Sequence, residues 1–256
     1  MPDSLPGVMI FAAGLGTRLG TFTENVPKAL VKIGGMTLLE FQLRRLSHLG
    51  FREAVINVHH FADQLIEYVR GNRGFGINVH ISDERDELLE TGGGLRKAAA
   101  FFKGCGDILL INADVITNMD FRIMISRHRE SPGLATLAVR NRVSSRYLLF
   151  DDTDRLCGWR NLKMQEEKIA LPGTGKLREL GFSGIHVIQE KLLELIPAFG
   201  KYSIVDSYLR LAAGHCISAF LHDSDVWMDV GRPENLELGE KLVEGIEVSN
   251  SNQSSE

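Results

Sequence analysis

The stretch that decides the fold runs Val8-Met9-Ile10-Phe11-Ala12-Ala13-Gly14-Leu15-Gly16-Thr17-Arg18-Leu19-Gly20 and reaches Pro27-Lys28. Val8 to Ala13 is apolar throughout and reads as a buried strand. The loop after it carries glycines, a hydroxyl and two cations. Glycines let backbone N–H groups turn toward an anion with no Cβ in the way. Arg18 offers a planar fork for phosphate oxygens and Lys28 a mobile point charge. A strand feeding such a loop is how an α/β protein holds a phosphate chain.

Two commoner phosphate loops do not fit. Arg18-Leu19 stand where the third glycine of G-x-G-x-x-G belongs, and Gly20 is followed by Thr21 rather than by Lys-Ser/Thr. The strand Glu53 to Val58 ends in Asn57-Val58-His59-His60, without the acid that would bind a dinucleotide ribose.

Outward from the loop, the chain alternates strands and helices. Thr37-Leu38-Leu39-Glu40 fits a capping box, and Leu39, Leu43, Leu46 and Leu49 recur at helical spacing until Gly50. A strand at Glu53 to Val58, a helix at Phe61 to Arg70 and a strand at Ile77 to Ser82 follow. Gly92-Gly93-Gly94 opens a helix through Phe102, and Ile108 to Ile111 is a strand buried on both faces. This alternation predicts an α/β, Rossmann-like fold, a mixed and mostly parallel sheet flanked by helices. Beyond Asp120 the regularity falls. Short strands fit Arg146 to Trp159 around the turn Asp151-Asp152-Thr153-Asp154. A strand fits Arg178 to Ile188, a helix Ile204 to Ala213, a strand Val226 to Val230 and a helix from Pro233. Cys157 to Leu171 carries no motif. The polar residues 249–256 read as a disordered tail after a single domain over 1–248.

Bulk properties narrow the class. At 256 residues, 44% hydrophobic and 24% charged with net charge −4, the chain suits a soluble enzyme and has no basic field for nucleic acid. No signal-peptide pattern or membrane-length apolar run is present, so a cytoplasmic protein is expected. The three cysteines, Cys105, Cys157 and Cys216, form no C-x-x-C pair and read as reduced, packed thiols.

Two acids lie at strand ends, where open α/β sheets bind ligands. Asp114 follows the strand ending at Ile111, and Asp229 lies in Val226-Trp227-Met228-Asp229-Val230-Gly231. A lone aspartate there also serves as a cap or turn former, but two from separate strands can clamp one hard cation.

Ala12-Ala13-Gly14-Leu15-Gly16-Thr17-Arg18-Leu19 with Pro27-Lys28-Ala29-Leu30-Val31 resembles the signature of sugar-1-phosphate nucleotidylyltransferases. Asn112-Ala113-Asp114, Leu89-Glu90-Thr91-Gly92-Gly93-Gly94-Leu95, Phe182-Ser183-Gly184-Ile185 and Trp227-Met228-Asp229-Val230-Gly231 resemble further motifs of that family; Ala113 departs from its more usual glycine. The resemblance implies a nucleotide-binding half over 8–120 and a sugar-phosphate-binding half over 121–248. It implies that Ala12, Ala13, Gly14, Gly16, Thr17, Arg18 and Lys28 hold a nucleoside triphosphate, with Gly92 and Gly93 against the base. Glu84 stands where relatives contact the base edge, although a solvated surface glutamate reads equally from the sequence. Asn112, Ser183 and Gly184 would face the sugar phosphate, the alternative for the last two being a core strand with a small-residue bulge. Asp114 and Asp229 would bind Mg2+, and Arg18, Lys28 and Asp114 would be catalytic. His59-His60 are read as packing or capping residues, and Trp159 as packed or lining the sugar pocket.

The implied reaction is attack of a sugar-1-phosphate oxygen on the α-phosphorus of the triphosphate, with loss of pyrophosphate. Over Val8 to about Leu242 the chain is most similar to compact N-acetylmuramate α-1-phosphate uridylyltransferases of cell-wall recycling. This implies UTP as donor, with GTP-dependent mannose or heptose 1-phosphate guanylyltransferases as the alternative and a non-catalytic nucleotide-binding regulator as a third. Either a monomer or a dimer fits.

Overall fold

The structure, a computed structural model, describes residues 4–131 and 133–253. The chain forms two compact units that interleave in sequence. One holds Ile10–Leu88, Asn112–Asp120 and Asp225–Glu256, the other Met1–Met9, Leu89–Ile111 and Phe121–Ser224. The expected halves meet at Asp120; instead, the C-terminal segment shares a unit with the glycine loop, because its strand Trp227–Asp229 pairs with Val115–Thr117.

In the first unit the strands Glu53–Val58 and Asn78–Asp83 run parallel, Glu53 opposite Asn78 and Val58 opposite Asp83. The helix Leu38–His48 starts where Thr37 Oγ1 accepts the Glu40 N–H at 3.0 Å. The reciprocal half of the capping box is not made. Glu40 instead accepts from Arg44 one turn on and from the Tyr68 hydroxyl. Gly50, at φ 93°, ends the helix as expected, and the Phe51 N–H reaches back to Leu46 O. A helix Ala62–Gly71 packs in the same unit. Leu19, Val31, Ile33, Leu38, Phe41, Ile116, Val230 and Val243 form a buried cluster here. It joins the loop, the first helix, the strand after Asp114 and the last helix.

That last helix spans Leu236–Gln253, so helical backbone continues into the stretch read as a disordered tail. No glycine or proline after Gly245 breaks it. The rest of that stretch, 254–256, lies outside the described residues.

In the second unit the long strand Arg178–Gln189 pairs antiparallel with Asp107–Asn112, Ala135–Arg140 and Arg146–Phe150. Ile217–Leu221 lies parallel to Ala135–Arg140. Leu156–Asn161 pairs with Arg146–Phe150 and with Glu166–Ile169, which gives the motif-free 157–171 segment an antiparallel hairpin. Mixed pairing with flanking helices is the expected α/β fold. Gly92 to Gly94 do not precede their helix but lie inside it, Glu90–Lys97. No described helix is long and apolar enough to cross a membrane.

Candidate active site

The first strand ends at Phe11, and the loop turns at Gly16 in the left-handed region, φ 69°. Two features demand glycine there. A Cβ would lie 2.8 Å from Thr23 Cγ2 and 3.0 Å from Lys28 Cβ, and the backbone conformation disfavours L side chains. Thr23 Oγ1 closes the loop by donating to Gly16 O at 3.1 Å. Leu19 pins it from below, fully buried. Gly14, Thr17 and Arg18 stay exposed at its rim.

Lys28 and Asp114 are brought together, Nζ forming an ion pair with Oδ2, both side chains mostly buried. Asp114 is held from two directions. The Ala113 N–H donates to Phe11 O at 3.1 Å, and the Val230 N–H donates to Asp114 O at 2.9 Å. Asp229 lies opposite Val115 in the short antiparallel pair, one position along from the Val230 N–H that holds Asp114, so the two aspartates come from the ends of two paired strands. Thr117 Oγ1 donates to Val226 O at 2.6 Å and fastens the pair. Arg18 comes close to Asp229 over Gly231, where a Cβ would lie 2.6 Å from Asp229 Oδ1 and 3.1 Å from Arg18 Nη2.

Nothing in the sequence flags Gln42 and Arg45, because both sit on the apolar stripe of their helix. Gln42 Nε2 donates to Val115 O and Arg45 Nη2 to Met119 O, fixing the segment that carries Asp114. Burial lowers the Arg45 guanidinium to about 10, against opposing pulls from Asp120 and Asp225. Asn57, whose Oδ1 accepts from the Ala12 N–H, lies outside the motifs. A polar residue inside an otherwise apolar strand is its signal.

Glu84 is not a solvated surface glutamate; it is wholly buried, its Oε1 accepting from Asn57 Nδ2 at 2.8 Å. Gly92 and Gly93 are not a bare turn. A Cβ on Gly92 would run into the Tyr202 ring, one on Gly93 into Gly200 O, and the Gly92 N–H already donates to Tyr202 O. These glycines serve close packing against 200–202. Ser183 is buried, its Oγ 2.7 Å from His222 Nε2, at an irregularity in strand register between Phe182 and His186 with Gly184 at φ 73°. That is the bulge reading. Burial, then Arg140, lowers the His222 imidazole to about 4, so the pair is neutral. Asn112 closes its strand half-buried. His59 Nδ1 meets Glu84 O at 2.7 Å, and the His60 ring lies tilted against Phe61 with 3.9 Å between ring centroids, both packing contacts. Of the cysteines, Cys157 is buried while Cys216 is exposed, so packing accounts for only part of the set.

Two carboxylates with hard oxygen donors fit a cation that brings its remaining ligands with it as phosphate oxygens and water. Among the described residues no group of three or more His, Cys, Asp or Glu could cage an ion alone. The donor set therefore suits a metal shared with a triphosphate.

A glycine loop after the first strand of a mixed, helix-flanked sheet, with two acids at neighbouring strand ends, defines an α/β protein of the nucleotidyltransferase class. The profile of the nucleotidyl transferase family matches residues 7–244, and the chain belongs to this family, among its sugar-1-phosphate nucleotidylyltransferases. It is 29% identical over 246 residues to the N-acetylmuramate alpha-1-phosphate uridylyltransferase of Caulobacter vibrioides, covering 88% of this chain and 92% of the relative. It is 25% identical over 232 residues to the D-glycero-alpha-D-manno-heptose 1-phosphate guanylyltransferase of Campylobacter jejuni, covering 89% and 95%. The crystal structure of HddC from Yersinia pseudotuberculosis complexed with GMP-PN superposes with TM-score 0.74 at 21% identity, covering 93% of this chain and 99% of that one, which shows the fold.

Proposed function

We propose that the chain transfers UMP from UTP to a sugar 1-phosphate, N-acetylmuramate 1-phosphate in the first instance, releasing pyrophosphate. Two observations support the reaction class: the Lys28–Asp114 ion pair, and Arg18 close to Asp229 over Gly231, with Lys28 also against Gly16 of the glycine loop. The Caulobacter relative, matched nearly end to end, supports the donor and the sugar.

The loop from Ala12 through Gly14, Gly16 and Thr17 holds the triphosphate with its amides. Arg18 steadies the leaving pyrophosphate, and Lys28 moves from Asp114 to the reacting phosphates. A phosphate oxyanion is already a nucleophile at neutral pH, so no general base is required. The barrier is charge repulsion between two polyanions, which preorganised cations offset. Enzymes of this family generally use a divalent metal; Asp114 and Asp229 would hold Mg2+, which supplies charge neutralisation at the phosphates. Asn112, half-buried at its strand end, is the candidate on the sugar-phosphate side.

A guanylyltransferase is the second reading, favoured by the Campylobacter relative. A regulator that binds without turnover would not need Lys28, Asp114 and Asp229 together. Coupled pyrophosphate release decides among them, with UTP, GTP, CTP and dTTP crossed against N-acetylmuramate, mannose, heptose and glucose 1-phosphates. UTP with N-acetylmuramate 1-phosphate should give the highest kcat/KM. A GTP pair ahead of it would favour the second reading, and silence for every pair the third.

A further inference from the structure

A chain of hydrogen bonds ties the start of the glycine loop to the end of a distant strand. The Ala12 N–H donates to Asn57 Oδ1 at 2.7 Å, and Asn57 Nδ2 donates to Glu84 Oε1 at 2.8 Å. All three residues are buried, Glu84 completely. Glu84 is itself clamped. Its N–H donates to Val58 O at 2.7 Å, and its carbonyl oxygen meets His59 Nδ1 at 2.7 Å.

The polarity of this chain follows from the chemistry of its ends. A backbone N–H can only donate, and a carboxylate can only accept. The group between them must accept on one side and donate on the other, which a side-chain amide does. Aspartate at 57 would set two buried carboxylates against each other, and leucine would leave the Ala12 N–H and the Glu84 carboxylate without these partners, each costly in a dry site.

We infer that Asn57 is a positioning residue: held by buried Glu84, it fixes the Ala12 amide and so the origin of the triphosphate loop. Ala12 is the first residue after the strand, and a shift there moves every loop amide downstream. The inference rests on the nucleotidyltransferase reading for its effect on activity, but the tie itself does not.

The test is a swap of the relay. Asn57→Asp removes the donor that faces Glu84. Adding Glu84→Gln supplies a donor from the other side, so the new carboxylate at position 57 can accept from both the Ala12 N–H and the new amide at position 84. Asn57→Asp should raise KM for UTP at least about tenfold and speed hydrogen–deuterium exchange at the amides of 12–18. The double variant Asn57→Asp/Glu84→Gln should return both to within about threefold of wild type, whereas Glu84→Gln alone should change them little, because glutamine also offers an acceptor. Wild-type exchange in Asn57→Asp, or a double variant no better than the single, would overturn the inference. If Asn57→Asp fails to fold, the double variant folding with near-normal KM supports it and the double variant also failing overturns it. Should wild-type protein release no pyrophosphate with any substrate pair, the function reading falls, and the exchange measurement still decides this one.

Discussion

Lys28 Nζ is ion-paired with Asp114 Oδ2 across 86 residues of sequence. In the proposed reaction the pair supplies a cation to meet phosphate charge and a carboxylate for a metal. Removing either partner also leaves the other charge mostly buried. Lys28→Ala and Asp114→Asn should each lower kcat by about 100-fold or more, the scale of losing one preorganised charge stabiliser. Single-turnover pyrophosphate release checks this, and a rate within about tenfold of wild type in either variant would remove that residue from the reaction.

Gly231→Ala tests the junction of Arg18 and Asp229 without touching a charge. The new Cβ would press on Asp229 Oδ1 at 2.6 Å and on the end of Arg18 at 3.1 Å. Arginine can swing away, but aspartate is short. Turnover should fall about tenfold or more from displaced charge while Tm moves by only a few degrees. An unchanged kcat/KM would show that Asp229 need not stay where it is.

Gly92→Ala separates packing from ligand binding. A Cβ that runs into the Tyr202 ring and lies 2.9 Å from Tyr202 O cannot be absorbed by rotating one side chain. A loss of about 1–3 kcal/mol in urea unfolding is expected. A variant of wild-type stability with a raised KM for UTP would return this glycine to the nucleotide site.

The first half of the fold was legible because its signals are local. An apolar run before a glycine loop, Thr37 at a helix start and Gly50 at its end each act within a few residues, and each element forms where they fall. Asp114 and Asp229 stand out locally for the same reason, Asp114 just after the strand Asp107–Asn112 and Asp229 at the end of the strand Trp227–Asp229. What lies opposite a residue has no such local mark. Gly92 and Gly93 look like an open turn, because nothing nearby in the chain reveals that 200–202 covers them. Ser183 looks available, because its partner His222 comes 39 residues later. Phe121–Glu130, Ala135–Arg140 and Glu166–Ile169 are not picked out by the sequence reading either. The last is exposed along its whole length, so no apolar alternation marks it.

Buried histidines set the acid limit of stability. Burial lowers His186 to about 3, and burial with Arg140 lowers His222 to about 4, from the usual 6.5. The unfolded chain takes up these protons below about 6.5 and the native one does not, so this stability is complete above that value. It falls as pH drops toward 4, by about 1.4 kcal/mol per pH unit for each group. Asp151 adds a second loss further down. Burial alone would raise it, but hydrogen bonds from Thr153, Arg155 and Thr174 hold it at about 2. The urea midpoint should therefore drop between about pH 7.5 and about pH 5, and drop less in His186→Gln/His222→Gln. A flat midpoint over that interval would contradict the assignment of neutral buried imidazoles.

Nucleotidyl transfer at the Lys28–Asp114–Asp229 cluster is tested most directly by following α-labelled UTP with N-acetylmuramate 1-phosphate and magnesium. The predicted result is one labelled UDP-sugar formed per pyrophosphate released, abolished in Asp114→Asn. Label released as UMP, orthophosphate in place of pyrophosphate, or unchanged product formation by Asp114→Asn would contradict it.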